Sequence, residues 1–339
     1  MVTIRTAPGA DPGVRAEDHS LAQLIQRGSL LPVIAGEALE DLVFGGHERL
    51  VASYATHVGY PMSDPGKLHK VAKYQSLTTG WKDRQLKQDY LDHVANHLLE
   101  LTQEGGTDAG RLEEAVAEAS DLTVSQFAGR LGYPRLDRGA DDPLLILANL
   151  PLPIYLTTSP YTFLEEALRR AGKEPRSELC RWHSGLDNVP SVFAAAGHAP
   201  IYQPSRHEPL VYHLFGLDAY PDSLVLTEDD HLDFLMAVSQ GRGKDQGVDP
   251  VHDVVKGALQ SSALLLLGFS LATWAFRALY RGLIRPMPTV TLYERYCCVQ
   301  LVPSEQEKLY LEDYLRKDAR FDKVYWEGIE PFCQRELHP

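Results

Sequence analysis

Pro209-Leu-Val-Tyr-His-Leu-Phe-Gly216 is followed shortly by Ser223-Leu-Val-Leu-Thr-Glu-Asp-Asp-His-Leu-Asp-Phe-Leu235. The first stretch reads as a buried strand, because Leu210, Val211 and Leu214 form a short apolar run bounded by Pro and Gly. Gly216 allows the chain to turn, or to approach a ligand closely, at the strand's end. The second stretch is an apolar run leading into a helix. Thr227 is placed to cap that helix, and Asp230 three residues on completes a near-match to a capping box.

The same unit recurs along the chain. Leu30 to Ala35 reads as a strand followed by a turn from Gly36 to Asp41. Ile154 to Thr158 is a strand followed by a helix from Tyr161 to Ala171, closed by Gly172. Ser261 to Gly268 is the most apolar strand and leads into a helix over Leu271 to Leu283. Thr289 to Tyr293, Tyr296 to Val302 and Lys323 to Trp326 are further strands, with a helix from Ser304 to Arg316 and a short terminal helix. Short apolar strands alternating with helices predict an α/β fold with a doubly wound, mostly parallel, Rossmann-like sheet covered on both faces. Ligands of such sheets sit beyond the C-terminal strand ends.

Helical periodicity fills the remainder: Asp18 to Arg27, Glu48 to Gly59, Lys67 to about Leu131, and Asp141 to Leu150. The region from about 62 to 150 therefore reads as a helical insertion beside the sheet, within a single domain over 17–339. Residues 1–16, rich in Gly, Pro and charge, read as a flexible tail. Residues 173–208, with scattered Pro and Gly, read as a flap or partner surface.

Composition excludes several classes. The chain has 339 residues, 44% of them hydrophobic, and a net charge of -13 without a basic stripe, which argues against a nucleic-acid groove. The longest apolar run, Ala263-Leu-Leu-Leu-Leu-Gly-Phe269, is far short of the roughly 20 residues a membrane span needs. No basic-then-apolar secretory pattern opens the chain, so a cytoplasmic location is expected. The four cysteines form no CxxC pair, which points to neither a zinc site nor a disulfide framework. His183, His198 and His207 match no metal spacing, and Glu228-Asp-Asp230 suits a helix N-terminus better than a metal.

Four strand ends carry the candidate chemistry. Pro32-Val-Ile-Ala-Gly-Glu37 places Ala35 and Gly36 where backbone N–H groups can approach a pyrophosphate, with Glu37 beside them. A carboxylate about 4 Å from a phosphate is repelled by roughly 4 kcal/mol at a surface-like dielectric. Thr157-Thr-Ser-Pro-Tyr-Thr162 offers Thr158 and the Ser159 hydroxyl, which equally suits a helix cap. At the third end, His213 is the titratable residue, either a proton acceptor or a hydrogen-bonded core histidine, and Phe215 cannot accept a proton. Leu267-Gly-Phe-Ser-Leu271 offers Gly268 for close approach and Ser270 for a ribose or phosphate, and it also suits an unliganded turn.

These motifs, with Val324-Tyr-Trp-Glu-Gly328 near the end, resemble the sirtuin-like NAD-binding domains that act as effectors in bacterial antiphage and conflict systems. The missing CxxC pairs place the resemblance in the zinc-free, NAD-hydrolysing branch. It implies NAD as ligand or substrate, with Ala35, Gly36, Thr158, Phe215, Gly268 and Ser270 around it. It also implies a catalytic histidine at the position of Phe215 and an Asn at the position of Ser159, with His213 the nearest replacement base. His213 lies two residues from Phe215, on the same strand face but about 7 Å away. With the glycine pattern of the first loop also altered, the resemblance implies a degenerate, catalytically impaired member. Such a protein would sense a nucleotide or scaffold a protein partner or a homo-oligomer. The alternative is an active NAD glycohydrolase using His213 or another base.

Overall fold

The computed structural model describes residues 21–63, 67–105, 109–194, 201–240, 249–270, 274–284, 297–301, 308–309 and 323–337. Its strands are β1 (Leu30–Ile34), β2 (Ile154–Thr157), β3 (Arg176–Leu179), β4 (Leu210–His213), β5 (Ala263–Leu267), β6 (Cys297–Leu301) and β7 (Lys323–Trp326). They form one sheet in the order β3-β4-β2-β1-β5-β6-β7, and each adjacent pair runs parallel. The predicted α/β class and largely parallel sheet are therefore what the chain forms. β1, β2, β4 and β5 are buried along their whole length, as strands covered on both faces must be.

Register fixes where the loops gather. Ile34 pairs with both Thr157 and Leu267, and Thr157 pairs with His213. The residues that follow, Ala35, Thr158, Leu214 and Gly268, therefore leave the sheet at one level. The chain runs from β1 out to β2, β3 and β4 on one side, then crosses β1 to β5 on the other. That reversal of strand order opens a crevice at the C-terminal ends.

Between β1 and β2 the described chain is helical: α2 (Gly36–Val43), α3 (His47–His57), α4 (Leu68–Thr79), α5 (Asp83–Glu104), α6 (Ala109–Glu118), α7 (Val124–Arg130) and α8 (Pro143–Asn149), after α1 (Leu21–Arg27). The longest, α5, buries Leu86, Tyr90, Val94 and Leu98 at four-residue spacing and packs this face on its helical neighbours. α9 (Phe163–Arg170), α10 (Glu228–Gln240), α11 (Asp253–Ser261), α12 (Trp274–Leu279) and α13 (Ile329–Phe332) follow along the chain.

Two predicted elements change. The turn expected at Gly36 to Asp41 is the first part of α2, whose Ala38, Leu39 and Val43 are buried against the sheet. The segment 173–208 contains the edge strand β3, whose sequence Arg-Ser-Glu-Leu has too little apolar content to read as a strand. The predicted strand at 289–293, most of the predicted helix at 304–316, and the 1–16 tail lie outside the described residues.

Gly216 has φ of 90°, and a Cβ there would sit 2.3 Å from the carbonyl oxygen of Ser223. The close approach it permits is to its own chain. The turn is then locked by Leu217 N–H donating to Ser223 Oγ at 2.9 Å and by Val225 N–H donating to the Phe215 carbonyl at 3.1 Å. Beyond it the predicted capping box forms. Thr227 N–H donates to Asp230 Oδ2 at 2.8 Å, and Asp230 N–H donates to Thr227 Oγ1 at 3.2 Å. Gly216→Ala is expected to lose about 1–2 kcal/mol from the left-handed backbone alone, with displacement of Ser223 in addition. A lowered urea midpoint at unchanged slope will show it.

Candidate functional site

A cavity of about 220 Å³ opens at the level where the four central strands end. Gly36, Glu37 and Glu40 reach it from α2, Thr158 and Pro160 from the β2 end, Phe215 from the β4 end, and Ser270 from beyond β5. The helices between β1 and β2 close the other side with His47 from α3, Lys67, Leu68 and His69 at the start of α4, and Tyr90 from α5. Leu224, Val225 and Leu226, held by the Gly216 turn, and His231 on α10 supply the remaining wall.

Of the residues singled out in the sequence, Gly36, Thr158, Phe215 and Ser270 line this cavity. Ala35 is fully buried beneath it. Gly268 serves packing: a Cβ there would lie 2.2 Å from the Cβ of Ala38, so the glycine lets α2 seat against the end of β5. Ser159 is buried and turned into its own loop. Its Oγ accepts from Tyr161 N–H at 3.2 Å, and its N–H donates to Thr157 Oγ1 at 3.0 Å.

His213 lies beneath the cavity wall with no exposure. Its Nδ1 is 2.7 Å from the Ser159 carbonyl, and its Nε2 is 2.8 Å from Glu165 Oε1, which also accepts from Ser177 Oγ at 2.6 Å. Both ring neighbours are acceptors. Burial works against the charged ring, but the Glu165 carboxylate outweighs it and raises the pKa above the usual histidine value. His213 thus joins β4 to the β2–α9 loop and to α9 through both ring nitrogens.

The α2 end of the cavity is acidic. Gly36 N–H, the amide expected to meet a phosphate, donates to Thr158 Oγ1 at 2.8 Å. Burial raises the pKa of Glu37, opposed in part by His47. His47 Nδ1 stands 2.5 Å from Glu40 Oε2. Although burial disfavours its charge, the carboxylates of Glu40, Glu37 and Asp41 push its pKa up to about 9.

The α10 side is partly aromatic. Phe215 meets the rings of His231 and Phe234 edge-on at 5.3 and 5.0 Å. Burial lowers the pKa of His231, and lowers that of His69 to about 4. Glu40, His47, His69 and His231 were not singled out in the sequence. Only their tertiary placement joins them to the strand ends.

Comparison with protein families finds one domain in this region. Residues 153–317 match the SIR2-like domain. The match starts one residue before β2 and takes in the strand ends that carry Thr158, Phe215 and Ser270. The parallel sheet and the crevice at its reversal agree with the SIR2-like assignment, which brings nucleotide binding of the NAD type into view. No curated protein matches the chain. No group of three or more His, Cys, Asp or Glu among the described residues is placed to hold a metal ion. No helix among them is long and apolar enough to cross a membrane.

Proposed function

We propose that the SIR2-like domain binds an adenine nucleotide of the NAD or ADP-ribose type in the strand-end cavity, and that its catalytic power is impaired. The observation that carries this reading is the cavity itself. It lies at the strand-order reversal, and Gly36, Thr158, Phe215 and Ser270 border it from separate strand ends. Phe215 presents a hydrocarbon ring where the resemblance calls for a histidine, and losing a general base costs about two to four decades in rate. By that resemblance the protein would serve a bacterial defence or conflict system in the cytoplasm, as a nucleotide-sensing or scaffolding component. Its contact with a partner or a second copy would use the sheet edge. β3, at that edge, lies within the 173–208 segment that reads as a partner surface. A parallel edge strand offers backbone groups for such pairing, and in β3 these lie toward its exposed start, since the Leu179 N–H and carbonyl already meet Glu178 Oε1 and Arg181 Nη1.

The test joins calorimetric binding of ADP-ribose and NAD with nicotinamide release by the unmodified protein and by Phe215→His. Binding by both, with slow release by the unmodified protein and a gain of about two to four decades in the variant, is expected. Absence of binding would remove the nucleotide reading. Release by the unmodified protein as fast as by the variant would replace impairment with the active-hydrolase alternative.

A further inference from the structure

Three histidines face the cavity, and they differ in what remains free on the ring. His47 is spent on Glu40 at 2.5 Å, and His69 Nε2 lies 3.7 Å from Glu228 Oε1. His231 Nδ1 lies 2.8 Å from the Thr227 carbonyl, an acceptor, so Nδ1 carries the ring proton. Its Nε2 makes no hydrogen bond to any described residue, and it is not one of the sealed, unpaired ring nitrogens found on His93 and His97. Burial lowers its pKa, against the backbone bond to Thr227 and the charge of Asp230. From the facing helix α4, His69 stands edge-on at 6.0 Å. The ring lines the cavity, held by the Thr227 carbonyl of the capping-box turn and by edge contact with Phe215, and its Nε2 is the ring nitrogen left unpaired among the described residues.

We propose that His231 Nε2 is the catalytic proton acceptor of this cavity, acting on water that attacks the nicotinamide-bearing ribose carbon of a bound NAD. The proposal rests on the nucleotide reading above: His231 stands in, from a different wall of the cavity and at a slower rate, for the base absent at Phe215, and so accounts for the slow release expected there. The water oxygen bonds to the ribose C1′. The C1′–nitrogen bond breaks, its electron pair leaving with nicotinamide, which departs neutral. The water proton passes to His231 Nε2 and from there to solvent, leaving ADP-ribose. A neutral imidazole with one fixed N–H and one open nitrogen is the form such a step requires.

The test is nicotinamide release from NAD by the unmodified protein and by His231→Asn, with NAD binding and thermal midpoint measured on both. An Asn amide can still donate to the Thr227 carbonyl, as Nδ1 does, but carries nothing in place of Nε2. Release by His231→Asn is expected to fall at least a hundredfold or to the uncatalysed background, with NAD affinity kept within about threefold. If that variant folds poorly, His231→Gln is read in the same way. Equal release by unmodified protein and folded variant overturns the proposal, as does an unmodified protein that binds NAD and releases no nicotinamide. In both cases the nucleotide reading survives. Failure of the unmodified protein to bind NAD removes that reading, and the proposal with it.

Discussion

Replacing His213 with Ala is expected to cost roughly 3–5 kcal/mol of folding stability, because it strands a buried carboxylate. His213 and Glu165 are both without exposure, and Glu165 Oε2 already lacks a hydrogen bond, so the ion pair is what compensates that charge. The pH dependence follows from the raised pKa of His213. A histidine whose folded pKa exceeds its unfolded value contributes fully below the unfolded value, near 6.5, and loses that contribution as pH rises through the folded one. His47 behaves alike, its contribution with Glu40 draining between about 6.5 and about 9. The unmodified protein should therefore weaken from pH 6 towards alkaline pH. The gap between it and His213→Ala should narrow over the same range. Urea midpoints at a series of pH values measure both. A constant small gap would mean that the pair is solvated and contributes little.

The strand–glycine–helix unit at 209–235 was legible because each local signal agrees with the tertiary outcome. Leu210 and Val211 are buried in β4, Gly216 takes a positive φ, and Thr227 and Asp230 cap α10 reciprocally. β7 matches its predicted bounds for the same reason, a compact β-prone run, Lys-Val-Tyr-Trp. β3 was not legible. An edge strand needs little apolar content, and Glu178 is buried there by bonding Arg181, three residues on, and Ser191, which only the folded chain brings near. α2 reads as a turn in the sequence because Gly36 opens it and Ala35 before it offers no capping side chain.

The site divides along the same line. Gly36, Thr158, Phe215 and Ser270 follow directly from strand ends, so locating the strands locates them. His231 belongs to the cavity because the Gly216 turn folds α10 back over Phe215, and no spacing rule links positions 215 and 231. His213 shows the reverse. Strand alternation would put it on the face of Phe215, but β4 ends at His213, and the partners that decide its role, Ser159 and Glu165, come from the loop and helix that follow β2.

Glu37→Gln is expected to tighten ADP-ribose binding by up to about three decades. Glu37 stands in the first turn of α2, where the helix dipole and free N–H groups favour an anion. The protein has placed its own carboxylate there, and Gly36 N–H is already committed to Thr158. A phosphate about 4 Å from that carboxylate meets roughly 4 kcal/mol of repulsion at a surface-like dielectric, and outward rotation of the half-buried side chain lowers the figure. Gln keeps the shape and removes the charge. Because burial raises the pKa of Glu37, the carboxyl becomes neutral at a higher pH than an ordinary glutamate. The unmodified protein should therefore bind ADP-ribose more tightly as pH falls through that range, while Glu37→Gln lacks this component. Adenosine, which carries no phosphate, should bind both proteins alike. Calorimetric titrations of the two ligands at pH 5 and pH 8 give all the comparisons. Equal ADP-ribose affinities at pH 8 would show that the diphosphate passes Glu37 by, and would move the phosphate site away from the α2 N-terminus.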